Sequence, residues 1–189
     1  MNFFNKSILH PRTIDGTRHT VWQEIAAERP CFSLLRTALD TDQAHSDHDV
    51  AIIAVDVDLP LMASKLAGQP HAVWFWHLLN GRMQGVVLFR EEIKQMLWHP
   101  TSPGTLVVIT QCRDPVVYVC LSGSPPEAVS IPSLQGVRSA RWEATWIKCQ
   151  QTQSQLFMLS SAKAFDVGIF EIETEGEADR LVFRSTLDG

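Results

Sequence analysis

The feature that most narrows what this chain can become is a repeat. Val50-Ala-Ile-Ile-Ala-Val55 opens a block of four short apolar runs, and blocks of the same grammar open at Ile93 and Val137. The first two starts lie 43 residues apart and the next two 44. In the first block the runs are Val50–Val55, Leu61–Ser64, Ala72–Trp76 and Met83–Phe89, separated by Asp56-Val-Asp-Leu-Pro60, Gly68-Gln-Pro70 and Gly81. In the second they are Ile93–Trp98, Thr105–Thr110, Val116–Cys120 and Ala128–Ile131. The third holds Val137–Trp142, Gln155–Ser160 and Val167–Ile172, with Trp146–Gln153 read as an insertion between its first two strands. Trp98 and Trp142 are 44 apart, with Val55 in the same place one period earlier.

Short runs rich in β-branched and aromatic residues, punctuated by Pro, Gly and Asp, read as strands. Four such strands per period of about 43 residues is the size of one propeller blade. Each blade is covered by a neighbour on both faces, so its inner strands must be apolar on both sides, as Leu106-Val-Val-Ile109 is. A helix competes for Glu91–Trp98, but the β-branched content that follows and Pro100 favour a strand. The expected fold is all-β: a partial WD-repeat β-propeller of about three blades over 50–173. An irregular amino-terminal arm over 1–49 precedes it, with short strands at Thr20–Trp22 and Phe32–Leu35 and a polar surface tract at Asp40–Asp49. A charged tail over 174–189 follows, with one apolar patch at Leu181–Phe183. Three blades alone leave outer faces and edge strands bare, so self-association through those edges is expected.

Composition limits the partners. A net charge of −5 with no basic stripe speaks against nucleic acid. No apolar run approaches the roughly 20 residues that cross a bilayer, and the amino terminus lacks the apolar core of a signal peptide. The reading is of a soluble, intracellular protein with no membrane partner. Cys31, Cys112, Cys120 and Cys149 are far apart and form no C-x-x-C pair, which fits buried, reduced thiols rather than a zinc site.

No residue is assigned a catalytic, cofactor-binding or metal-binding role. Neither phosphate-binding glycine pattern is present, and Leu121-Ser-Gly-Ser-Pro125 has turn composition rather than that of a nucleophile elbow. His45, Asp47, His48 and Asp49 are metal-ligating types packed too closely on a loop to wrap one ion. Asp56 and Asp58 resemble a carboxylate pair but sit in a turn signal, where Asp commonly bonds its own backbone. His71, His77 and His99 each adjoin a turn or a Trp and read as packing residues. Trp74, Trp76, Trp98 and Trp142 read as packing between blades rather than a stacking platform. Arg113, Arg138 and Arg141 stand singly and carry no weight. Two rivals remain: a small β-rich hydrolase using Asp56, Asp58 or the histidines, which needs two of them to converge in a pocket, and a closed β-sandwich binding module.

Gln69-Pro-His-Ala-Val-Trp-Phe-Trp-His77 and Ile93-Lys-Gln-Met-Leu-Trp-His-Pro-Thr-Ser-Pro103 together resemble the carboxy-terminal blades of the WD-repeat-containing protein 8 family. Its members carry a Pro-x-x-Val-Trp-Ile-Trp-Asp-like run, here Pro70 to His77, and a strand ending in Trp-x-Pro, here Trp98 to Pro100. Leu61-Met-Ala-Ser-Lys65 sits where that family has a Phe-Ile-Ala-Thr-Arg-like strand. The resemblance spans Val50 to Ile172, about two thirds of the chain. Two features depart from it. His77 stands where the Trp-Asp pair would close, and no Gly-His dipeptide occurs, so the buried Asp-His-Ser/Thr-Trp network is absent or rebuilt. The chain is also much shorter than the family, which implies a fragment or truncated product. The resemblance implies a non-enzymatic scaffold without cofactors at the spindle pole body or centrosome, in the cytoplasm and cytoskeleton. Its implied partners are a coiled-coil pole-anchoring protein and a kinesin-14 motor, with which it would anchor microtubule minus ends.

Overall fold

Leu106-Val-Val-Ile109 is apolar at every position, and successive side chains of a strand leave on opposite faces, so this run needs cover on both sides. A computed structural model describes residues 5–14, 17–24, 49–121, 126–149, 155–175 and 178–187, and it supplies that cover. Among the described residues fourteen strands run in chain order: β1 (Asn5–Ile14), β2 (Thr17–Glu24), β3 (Val50–Val55), β4 (Leu61–Leu66), β5 (Gln69–His77), β6 (Arg82–Leu88) and β7 (Ile93–Trp98). They continue as β8 (Thr105–Thr110), β9 (Val116–Leu121), β10 (Glu127–Ser130), β11 (Glu143–Lys148), β12 (Gln155–Ser160), β13 (Phe165–Glu175) and β14 (Ala178–Ser185). The described residues contain no α-helix, only a 3-10 turn at Pro132–Leu134.

Three antiparallel four-stranded meanders result: sheet I from β3–β6, sheet II from β7–β10 and sheet III from β11–β14. The hairpin β1–β2 widens sheet I to six strands, with Asn5 and Lys6 alongside Val86 and Val87 of β6 in parallel. Sheet II lies in the middle. On one face Leu106, Val108, Tyr118 and Cys120 pack with Leu61, Val73, Phe75 and Val87 of sheet I. On the other, Val107, Ile109, Val117 and Val119 pack with Ala144, Phe157, Leu159 and Phe183 of sheet III. The first strands lie against one another, β3 to β7 and β7 to β11, while the outer strands β10 and β14 also touch. Such sideways stacking about the first strands is consistent with propeller-like blades, and the described residues form no closed ring.

The first two blocks of the repeat form strands as the punctuation predicts, and Ile93–Trp98 is a strand rather than a helix. The third departs. Its first strand is Glu143–Lys148, not Val137–Trp142, and Trp146 to Lys148 belong to that strand rather than to an insertion. The physical reason is that the segment before it is tied elsewhere. The Ser139 amide and the Trp142 indole both donate to the Arg113 carbonyl, at 3.1 and 3.0 Å, and Gly136 turns the chain at φ 82°. Trp98 therefore ends a strand whereas Trp142 precedes one, and their 44-residue spacing joins two different structural places.

Both ends of the chain are more regular than expected. Residues 5–14 and 17–24 form a hairpin instead of an irregular arm, with Thr20–Trp22 inside β2. The expected tail supplies β14, which pairs along β13 from Gly168↔Ser185 to Glu175↔Ala178 and completes sheet III. Phe32–Leu35 and most of the polar tract fall outside the described residues.

Gly168 shows how tightly sheet III is packed. It sits between Phe157 and Ser185 in register, and a Cβ there would collide with the Arg184 carbonyl and the Phe183 ring. Gly168→Ala should destabilise the fold by about 1–3 kcal/mol through overpacking, read as a lowered urea midpoint at unchanged slope.

Candidate functional site

Sheets II and III are joined at their inner strands by one side chain. The Gln95 carboxamide donates to the Ala144 carbonyl at 2.8 Å and accepts the Ala144 amide at 2.9 Å. A carboxamide offers a donor and an acceptor side by side, so it satisfies a residue on the edge of β11 as a neighbouring strand would. Beside this clamp a cleft of about 590 Å³ opens between the two sheets. Its walls come from the start of β7, the end of β8 and the approach to β11, with Lys94, Thr110, Gln111, Arg141 and Glu143 among them. Thr110 is buried in that wall, and its hydroxyl has no hydrogen-bond partner.

The charges around the cleft are paired near the surface. Lys94 Nζ lies 2.7 Å from Glu92, and Arg141 lies 2.9 Å from Glu143 with both side chains largely exposed. Glu92 also receives Lys65 at 3.3 Å. The Lys94 hydrogen bond, aided by Lys65 and opposed by partial burial, holds the Glu92 carboxyl below its ordinary range. Lys65 is itself buried and donates to the Ile93 carbonyl at 2.8 Å, tying sheet I to the start of sheet II.

The opposite ends of these inner strands are organised by Asp56 and His99. Asp56, only 5% exposed, accepts the amides of Asp58 and Leu59 on one oxygen and that of Gly104 on the other. Its first two bonds close the β3–β4 turn, and the third reaches the β7–β8 connection. The Trp98 indole donates to the Ala54 carbonyl at 2.9 Å, a second link from sheet II to β3. His99 Nδ1 accepts the amides of Thr101 and Ser102 at 3.1 and 2.9 Å, and its ring lies 4.3 Å from that of Trp146 on β11. Burial lowers the His99 pKa below its ordinary value of 6.5.

The residues weighed as catalytic do not converge. Asp56 serves as turn chemistry while Asp58 is exposed, so they form no carboxylate pair. His71 and His77 share β5 six residues apart, roughly 20 Å along an extended strand, each with a buried Nδ1 lacking a partner. No group of three His, Cys, Asp or Glu able to hold a metal occurs among the described residues. Asp49 is exposed, and His45, Asp47 and His48 lie outside the described residues. Cys112 and Cys120 are free thiols, with Cys120 pushed up to about 12 by burial; Cys31 lies outside the described residues.

Trp98 and Trp142 join the cores on either side of sheet II, while Trp74 and Trp76 stack on the far face of sheet I at 6.4 Å. The Trp76 indole donates to Ser64 on β4 at 2.9 Å. In sheet III the buried Asp166 accepts the hydroxyls of Ser133 and Ser185 and the Val167 amide. Sequence reasoning missed Lys65, Gln95 and Asp166. The signal available was a polar residue inside an otherwise apolar alternation, as with Lys65 after Leu61 and Ala63.

Comparison with known proteins yields nothing to add: no family model matches the chain, and no curated protein matches it.

Gln95→Ala leaves the Ala144 amide and carbonyl without their side-chain partner, and the expected cost is about 1–3 kcal/mol. Faster hydrogen exchange at the Ala144 amide would localise the loss. For His99, the neutral ring is favoured in the folded state, so its contribution is complete above pH 6.5 and is lost as pH falls through the lowered folded-state pKa. Thermal melts between pH 7.5 and 5 should therefore fall less for His99→Asn than for the native chain, since Asn cannot titrate.

Proposed function

We propose that this chain is part of a WD-repeat β-propeller of about three blades, acting as a non-enzymatic scaffold for protein–protein interactions. The single observation that supports this best is the side-by-side stack of three four-stranded meanders with β3, β7 and β11 adjacent. A stack of this kind has two ends. Sheet I bares Ile53 and Val55, 57% and 50% exposed, on the face turned away from sheet II. Sheet III presents Ile147, Leu156, Met158, Val167 and Ile169, all partly exposed, and Phe165 at 58%. In sheet II, by contrast, β8 is buried at every position. Apolar faces of this extent on a folded surface mark places where other protein surfaces bind. Self-association through the bare ends is part of the same reading.

The resemblance of Pro70–His77 and Trp98–Pro100 to the WD-repeat-containing protein 8 family supports the cellular setting. On that basis the scaffold works in the cytoplasm and cytoskeleton, at the spindle pole body or centrosome. There it would join a coiled-coil anchoring protein and a kinesin-14 motor to hold microtubule minus ends. Binding by shape would draw its energy from a few buried anchors rather than from total area.

The purified chain should be oligomeric or aggregation-prone in light scattering; a monodisperse, thermostable monomer would overturn the bare-ended stack. Affinity purification from the source cells should recover a coiled-coil pole protein and a kinesin. Recovery of a metabolic enzyme complex instead would overturn the cellular assignment.

A further inference from the structure

Sheets I and II share one register, and the faces that this register equates have different fates. Val55, Met62 and Trp76 are directly paired across β3, β4 and β5, as Trp98, Leu106 and Cys120 are across β7, β8 and β9. The next row, Ile53, Ser64 and Trp74, matches Met96, Val108 and Tyr118 in the same way. Each sheet II residue lies 43 or 44 residues after its counterpart in sheet I. Directly paired residues stand on one face of a sheet. In sheet II both rows are buried against sheet I. In sheet I the same rows face away from sheet II, and at β3 they end in Ile53 and Val55, 57% and 50% exposed.

Sheet I therefore carries, on its outer face, the seat that one period later receives a preceding sheet. Ala72, Val86 and Leu88 are buried on the far side of that face, so the bare part is the half nearest β3. That half is the one a junction uses, because β3 meets β7, and β7 meets β11, at the two junctions within the chain. Sheet III has the reverse situation. Phe157, Leu159 and Phe183 fill its face toward sheet II. Its other face carries Ile147 beside Leu156 and Met158 beside Val167, all partly exposed, and no sheet follows β14 among the described residues.

We propose that the neighbour of both faces is a second copy of this chain: sheet III of each copy packs on β3 and β4 of the other, and the pair closes into one ring. The inference rests on reading the chain as a bare-ended stack of blades, and it names what covers those ends. The new junction repeats the one between sheets I and II, with Val55 where Trp98 stands. Two copies supply twice the three sheets, six in all, inside the roughly four to eight blades of closed propellers; three copies, with nine, fall outside it. A contact between two unlike faces either closes into a ring or runs on as a filament. Closure at two copies leaves neither face bare.

The test is light scattering on the intact chain during size exclusion. It should give one species of about 42 kDa, twice the chain's 21.2 kDa. The variants Ile53→Asp/Val55→Asp and Met158→Asp/Val167→Asp each place charge on one of the two faces, where burial of an unpaired charge is costly. Each should run as a monomer with near-UV circular dichroism unchanged. An equimolar mixture of the two should regain association, since sheet III of the first and sheet I of the second are both native. Persistent dimers of either folded variant alone would mean that like faces meet, and would overturn the ring. So would a mixture that associates no better than its parts. Native filaments or trimers would overturn the ring and leave the bare-ended stack standing, whereas a native monomer would overturn both.

Discussion

Water is excluded from both faces of sheet II, where Leu106 and Val108 meet sheet I and Val107 and Ile109 meet sheet III. Full burial of a Val, Leu or Ile side chain is worth about 1.5–3 kcal/mol, against about 0–1 for an exposed ion pair. The two-sided cover of β8 and β9 therefore outweighs the scattered surface pairs, and the positions of sheets I and III follow from it. Because a strand sends alternate residues to opposite faces, one uninterrupted apolar run commits the chain to three layers rather than two.

Polar groups then set how the layers are aligned. Asp56, Trp98, Lys65 and Gln95 each reach from one sheet to the backbone of the next, near the inner strands. Apolar packing is tolerant of small slips, whereas a hydrogen bond to a chosen carbonyl is not, so these four contacts fix the relation of the inner strands. In sheet III the aromatic cluster of Phe157, Phe170 and Phe183 surrounds the position where Gly168 has no side chain. That cluster extends the packing outward from the inner strands and draws β13 and β14 into the core.

The stacking also decides which surfaces are left uncovered. Sheet II is covered on both faces, sheet I bares Ile53 and Val55 beside a covered patch of Ala72, Val86 and Leu88, sheet III bares Phe165, and a polar cleft opens between sheets II and III. The same fold thus offers apolar patches at its ends and a polar cleft between two sheets.

Alternation, apolar runs and Pro/Gly punctuation were enough to place most strands from Val50 to Ser130 within a residue or two, because those signals are local and each strand pairs with its neighbour in the chain. The sequence also determined that Asp56 would bond within its turn, since Asx chemistry spans only two or three residues. Only the tertiary structure decided where the third sheet begins, because Trp142 is held by a carbonyl 29 residues earlier. It alone decided that Leu181–Phe183 belongs to a strand, through its pairing with β13. The approach of Arg141 to Lys94 was likewise invisible along the chain: one precedes β11 and the other lies near the start of β7, and proximity between such segments arises only after the sheets have stacked.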